Sequence, residues 1–167
     1  MLFTQIALAA ATFVAGSFAA ADEFYIKTTG SSLSSHNDLF LEAYHTGAGL
    51  ADAVLSTDNI NAGHFYLNDT ELRMDVGDVD YAYGFELAAD SGYAAWQFVT
   101  INVQTAQSGF SVESNGTVAF NGTEFGGWLA CDWWHGAPQL FWKIEFDSVD
   151  IPSSCSSVTL VTQAISS

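Results

Sequence analysis

A β-trefoil-like barrel of about twelve short antiparallel strands is the all-β fold expected of this 167-residue chain. Three observations point to it. Two hairpins have a register that burial alone fixes. Glycines at loop tips, Gly49, Gly92 and Gly136, recur at intervals of 43 and 44 residues. A last apolar strand near the C-terminus is left over to pair with the first one. An antiparallel β-sandwich, which also shows short strands at regular spacing, is the alternative.

Residues 1–21 read as a secretory signal peptide. Ile6 to Ala21 carry no charge. Small residues allow cleavage after Ala19 or after Ala21. The apolar run falls short of the roughly 20 residues that a membrane-spanning helix needs. A single domain, 22–167, is expected to be soluble and exported.

The first unit supplies three strands, "FYIKTT", "LFLEAY" and "AVLS", before and after the tip at Gly49. The second opens with "FYLNDTELRMDV", a hairpin whose four-residue loop pairs Leu67 with Leu72 and Phe65 with Met74. It continues with "YAYGFEL", where alternation puts Tyr81, Tyr83, Phe85 and Leu87 on one face. The third opens with "FSVESNGTVAF". A three-residue loop, Ser114-Asn115-Gly116, puts Phe110, Val112, Val118 and Phe120 on one face. A two-residue loop would set Phe120 against Ser111, so burial selects the longer loop, with Gly116 left-handed. The missing strand of the first unit is then "VTLVTQAI", Val158 to Ile165, pairing with Phe24 to Thr29.

The repeat also sorts the apolar side chains. Four residues after each tip glycine stand Ala53, Trp96 and Leu140, and six after stand Leu55, Phe98 and Trp142. Before the tips stand Phe40, Phe85 and Trp128. All of these are expected in the core. Trp133, Trp134 and His135 depart from the pattern, because their counterparts in the other units are small or polar. They are the candidate ligand contact, an aromatic tip on the third unit. A structural cap over one end of the barrel is the competing reading of the same tip.

The chain holds 3 Lys and Arg against 19 Asp and Glu, a net charge of −16. Nucleic-acid binding rests on Lys and Arg contacts to phosphates, so this balance speaks against it. Anionic membranes are excluded on the same ground. Cys131 and Cys155 are the only cysteines. In an exported chain an isolated pair is expected to form a disulfide. Asn68, Asn115 and Asn121 each begin an Asn-x-Thr sequon and are candidate glycosylation sites. The sequence carries no G-x-S-x-G elbow, H-E-x-x-H pair, P-loop or G-x-G-x-x-G. Asp75, Asp78 and Asp80 lack a calcium-loop signature and read as an acidic turn. No cofactor, no metal and no catalytic residue is assigned.

Gly127 to Cys131 reads Gly-Trp-x-Ala-Cys. It is followed by the aromatic strand Gln139 to Trp142 and by Pro152 to Cys155. These segments, with "LFLEAYHTGAG", resemble secreted cell-wall glycoproteins of filamentous ascomycete fungi. That group includes the cell-wall protein linked to phialide and spore development and its IgE-binding allergen relatives. The resemblance implies secretion, cell-wall association, glycosylation and no enzymatic activity. The expected function is a secreted, non-enzymatic fungal glycoprotein, associated with the cell wall or released to the medium, with neutral wall polysaccharide as its candidate contact. A trefoil-like lectin or protease inhibitor, and a polysaccharide hydrolase, are the alternatives.

Overall fold

The computed structural model describes residues 22–77, 81–91, 94–133, 135–145 and 150–166. Residues 1–21, read from the sequence as a signal peptide, and Asp78, Asp80, Gly92 and Trp134 lie outside the described residues. The strands are β1 (Phe24–Thr29), β2 (Phe40–Gly47), β3 (Leu50–Ser56), β4 (His64–Asn68), β5 (Glu71–Asp75), β6 (Tyr83–Leu87), β7 (Trp96–Val103), β8 (Phe110–Val112), β9 (Val118–Phe120), β10 (Phe125–Asp132), β11 (Pro138–Ile144) and β12 (Cys155–Ala164). A 3-10 turn, Ser34–His36, lies between β1 and β2.

All paired strands run antiparallel. Ten of them form one sheet in the order β10-β12-β1-β2-β3-β11-β7-β6-β5-β4. Further pairings, β1 with β4 and β10 with β11, close that sheet on itself. The result is an all-β closed barrel, with β8 and β9 as a separate two-stranded hairpin. Closure removes the exposed edges that would otherwise recruit other strands.

The two hairpins have the register that burial requires. Phe110 faces Phe120 and Val112 faces Val118 across β8–β9. Phe65 faces Met74 and Leu67 faces Leu72 across β4–β5. The second turn is tighter than expected. Asn68 still pairs with Glu71, so the loop is Asp69-Thr70 alone, with Asp69 left-handed at φ 57°. The C-terminal strand pairs along the whole of β1, from Phe24 opposite Ala164 to Thr29 opposite Thr159. It also begins earlier than expected, at Cys155, because β10 pairs with that end.

The core gathers the inward faces of these strands. Phe85, Phe110 and Trp128 meet there, with Phe85 edge-on to Phe110 at 5.4 Å and to Trp128 at 5.8 Å between centroids. Ala53, Leu55, Leu140 and Trp142 join them, as the repeat anticipates. Four assignments need correction. Phe40 is only half-buried, since Leu39 and Leu41 beside it point inward. Tyr81 precedes β6 and is exposed. Trp96 is half-buried and Phe98 exposed, because β7 turns Val99 and Ile101 to the core instead. The period of a strand is two residues, so counting an even offset from Gly92 selects the wrong face.

Gly116 sits at φ +85°, and a Cβ there would lie 3.1 Å from Thr162 Oγ1. Its carbonyl also accepts the Thr162 N–H at 2.8 Å, which ties the β8–β9 loop to β12. Gly116→Ala should therefore cost about 1–2 kcal/mol, the penalty for an L-residue in this conformation. A shift of the urea midpoint at constant slope measures it, and an unchanged midpoint refutes it.

Candidate ligand-contact site

Three hairpins, β2–β3, β6–β7 and β10–β11, converge on one end of the barrel. Their inner strands touch pairwise. Asp52 of β3 lies opposite Thr100 of β7, Val54 of β3 opposite Gln139 of β11, and Phe98 of β7 opposite Phe141 of β11. On the inward side of this junction lie Ala53, Leu55, Val99, Ile101, Leu140 and Trp142. Neighbouring residues of a strand point to opposite faces, so Asp52, Phe98, Gln139 and Phe141 take the outward side.

There they line a groove of about 240 Å³, which Trp133 completes. Trp133 leaves β10 one residue past its end and leans edge-on against Phe141, 5.5 Å between centroids. Its side of the groove is open: Trp133 is 50 % and Phe98 46 % exposed, unusual for side chains this large. Two polar groups share the groove. Gln139 is only 2 % exposed, and its amide oxygen is enclosed with no hydrogen-bond partner among the described residues. Asp52 accepts the Nε2–H of His135 through Oδ2 at 2.8 Å, and keeps Oδ1 as a second acceptor.

His135 is therefore placed differently from Trp133. Its ring is buried, tilted against Tyr44 at 4.3 Å and bonded to Asp52. It does not present its ring to a ligand, which corrects its reading as a contact residue. It orients the Asp52 carboxylate instead, across 83 positions of chain. Trp134 lies outside the described residues.

Beside the groove, on the same outward face, sits a second apolar cluster, Leu129, Cys131, Phe141 and Cys155, with Trp96 and Ile151 packed on it. The disulfide between Cys131 and Cys155 is formed. It joins directly opposed residues of β10 and β12. So the covalent bond anchors the end of β10 from which Trp133 emerges.

One other polar cluster has a chemical outline worth weighing. His36 is buried, with Nδ1 2.7 Å from Ser156 Oγ and Nε2 3.1 Å from Asp132 Oδ1. Ser31 Oγ lies 2.6 Å from Ser156 Oγ. Ser156 is 3 % exposed, so its hydroxyl is closed to a substrate. The cluster fastens the 3-10 turn to β10 and β12. The sequon residues Asn68, Asn115 and Asn121 are all exposed, and Asn115 Oδ1 accepts the Thr117 N–H at 3.0 Å.

Trp133 is legible in the sequence as an aromatic at a loop tip. Asp52, Phe98, Gln139 and Phe141 are not singled out there. Alternation within "ADAVLS" does put Asp52 opposite the apolar face, a signal too weak to mark a site. A family model described as a domain of unknown function (DUF7907) matches residues 21–164. No curated protein and no solved structure matches the chain.

Proposed function

The chain belongs to the DUF7907 family, and we propose that it is a secreted, non-enzymatic glycoprotein of the fungal cell wall that grips neutral wall polysaccharide. The observation that carries this reading is the groove where Trp133 and Phe98 stand exposed beside Phe141. Large apolar side chains held in the open commonly mark a binding surface. An indole or phenyl face stacks on the apolar face of a sugar ring at low entropy cost.

The remaining features support the same setting. The segment 1–21 has the composition of a signal peptide. A disulfide suits an oxidising compartment. The three exposed sequon asparagines suit glycan attachment. The likeness of Gly127 to Cys131 and of Gln139 to Trp142 to fungal wall glycoproteins adds the wall itself.

We read the barrel as trefoil-like. Supporting this, β1 pairs with β4 and β12, and β4 pairs with β5. The β8–β9 hairpin touches both neighbours. Thr70 O accepts from the Phe110 N–H at 2.9 Å, and Thr117 bridges to Val161. In this reading six strands, β1, β4, β5, β8, β9 and β12, follow one another around a ring, with three hairpins gathered at one end. The groove lies where those hairpins meet.

The native protein should be recovered from washed walls, with a mass that falls on endoglycosidase treatment. Recovery only from the cell interior, at the mass of the bare polypeptide, overturns the proposal.

A further inference from the structure

The geometry points to a subsite for one neutral pyranose ring, with Gln139 and Asp52 as the residues that select it. This inference rests on the wall-binding reading and specifies its ligand. Size sets the first limit. Pockets for drug-sized ligands run from about 300 to 1,000 Å³, whereas this groove encloses about 240 Å³. It accommodates a single ring, laid on Trp133 and Phe98, with the rest of a chain outside.

Chemistry sets the second limit. The lining residues are Asp52, Phe98, Trp133, Gln139 and Phe141. None carries a positive charge. A carboxylate only accepts hydrogen bonds, and the enclosed oxygen of Gln139 does the same. The matching ligand donates several hydroxyl protons and bears no negative charge. A uronate or a phosphorylated sugar would meet the Asp52 carboxylate with no cation in the lining to offset it.

The enclosed Gln139 oxygen is the second, independent sign. A buried acceptor without a partner destabilises the protein that carries it. Gln139 lines the groove, and a small turn of its amide would bring that oxygen within reach of a sugar hydroxyl there. The Asp52 carboxylate, in turn, is held in place by the His135 Nε2–H.

The test uses the full-length secreted protein, titrated with methyl glucoside, methyl N-acetylglucosaminide and methyl glucuronide, followed by NMR line shifts. Either neutral sugar should bind about tenfold or more tightly than the uronate; the stronger of the two tells glucan from chitin as the source. Gln139→Met keeps side-chain length and removes the amide. It should weaken neutral-sugar binding about tenfold, while melting temperature holds or rises. A residue that merely supported the fold would lower it. Equal binding of uronate, no binding of either neutral sugar, or binding indifferent to Gln139→Met overturns the inference. Wild-type sedimentation with walls in the same experiment keeps the wall-binding reading separate. If the sugars fail while walls still bind, only the subsite is lost.

Discussion

Replacing Trp142 by Ala should remove about 3–5 kcal/mol of stability, the usual cost of truncating a large core aromatic. Trp142 is 5 % exposed and stands between two strands, opposite Trp128 of β10 and Gln97 of β7. Its indole N–H donates to the Ala88 carbonyl at 3.0 Å, which links β11 to the segment after β6. The substitution therefore opens a cavity and leaves that carbonyl without its donor. Small domains hold about 5–15 kcal/mol in all, so the loss is a large share of the total. For a chain of this size the melting temperature should fall by roughly 10 °C. A loss below about 1 kcal/mol would mean that the region relaxes freely and that β11 is not a central strand.

Removing the disulfide has the next largest expected effect. Cys131 and Cys155 are 24 positions apart, and their bond restricts the unfolded chain between them. The chain-entropy estimate for such a loop is about 3 kcal/mol. The double change Cys131→Ala, Cys155→Ala should lower the unfolding free energy by that order. It should also loosen the cluster beside the groove, since Phe141 shares it with the pair and Trp96 packs against it. Denaturant unfolding with and without reductant measures the first effect. Hydrogen exchange at residues 129–133 measures the second. A variant as stable as the oxidised parent contradicts both.

The sequence revealed more of the barrel than of the groove, for a physical reason. Hairpin registers are local. Four apolar residues flanking Ser114-Asn115-Gly116 leave one burial-consistent pairing, and β8–β9 adopts it. The pairing of β12 with β1 was legible by elimination, because an apolar strand at the end needs a partner and the first strand lacked one. The phase of β7 was not legible. Its anchor, Gly92, sits in a segment whose length differs from the other units. An offset of one residue moves Val99 and Ile101 inside and Phe98 outside. The groove was not legible because Asp52, Phe98 and Gln139 come from three separate hairpins. Only the cross-strand contacts of β3, β7 and β11 bring them together. His135 looked like part of an exposed tip. Its inward turn depends on Asp52, a partner with no sequence proximity.

The proposed role of this groove is to hold wall polysaccharide. The most direct measurement is co-sedimentation of the native protein with β-glucan, chitin and whole fungal walls, alongside Trp133→Ala and Phe98→Ala. Both side chains are exposed, so neither change should move the melting temperature by more than a few degrees. Stacking contacts are worth about 0.5–1.5 kcal/mol beyond area burial, so each variant should lose about tenfold in binding. The groove's proposed role predicts that the parent sediments with at least one neutral polysaccharide and that both variants stay largely in solution. Variants that sediment as fully as the parent would contradict it.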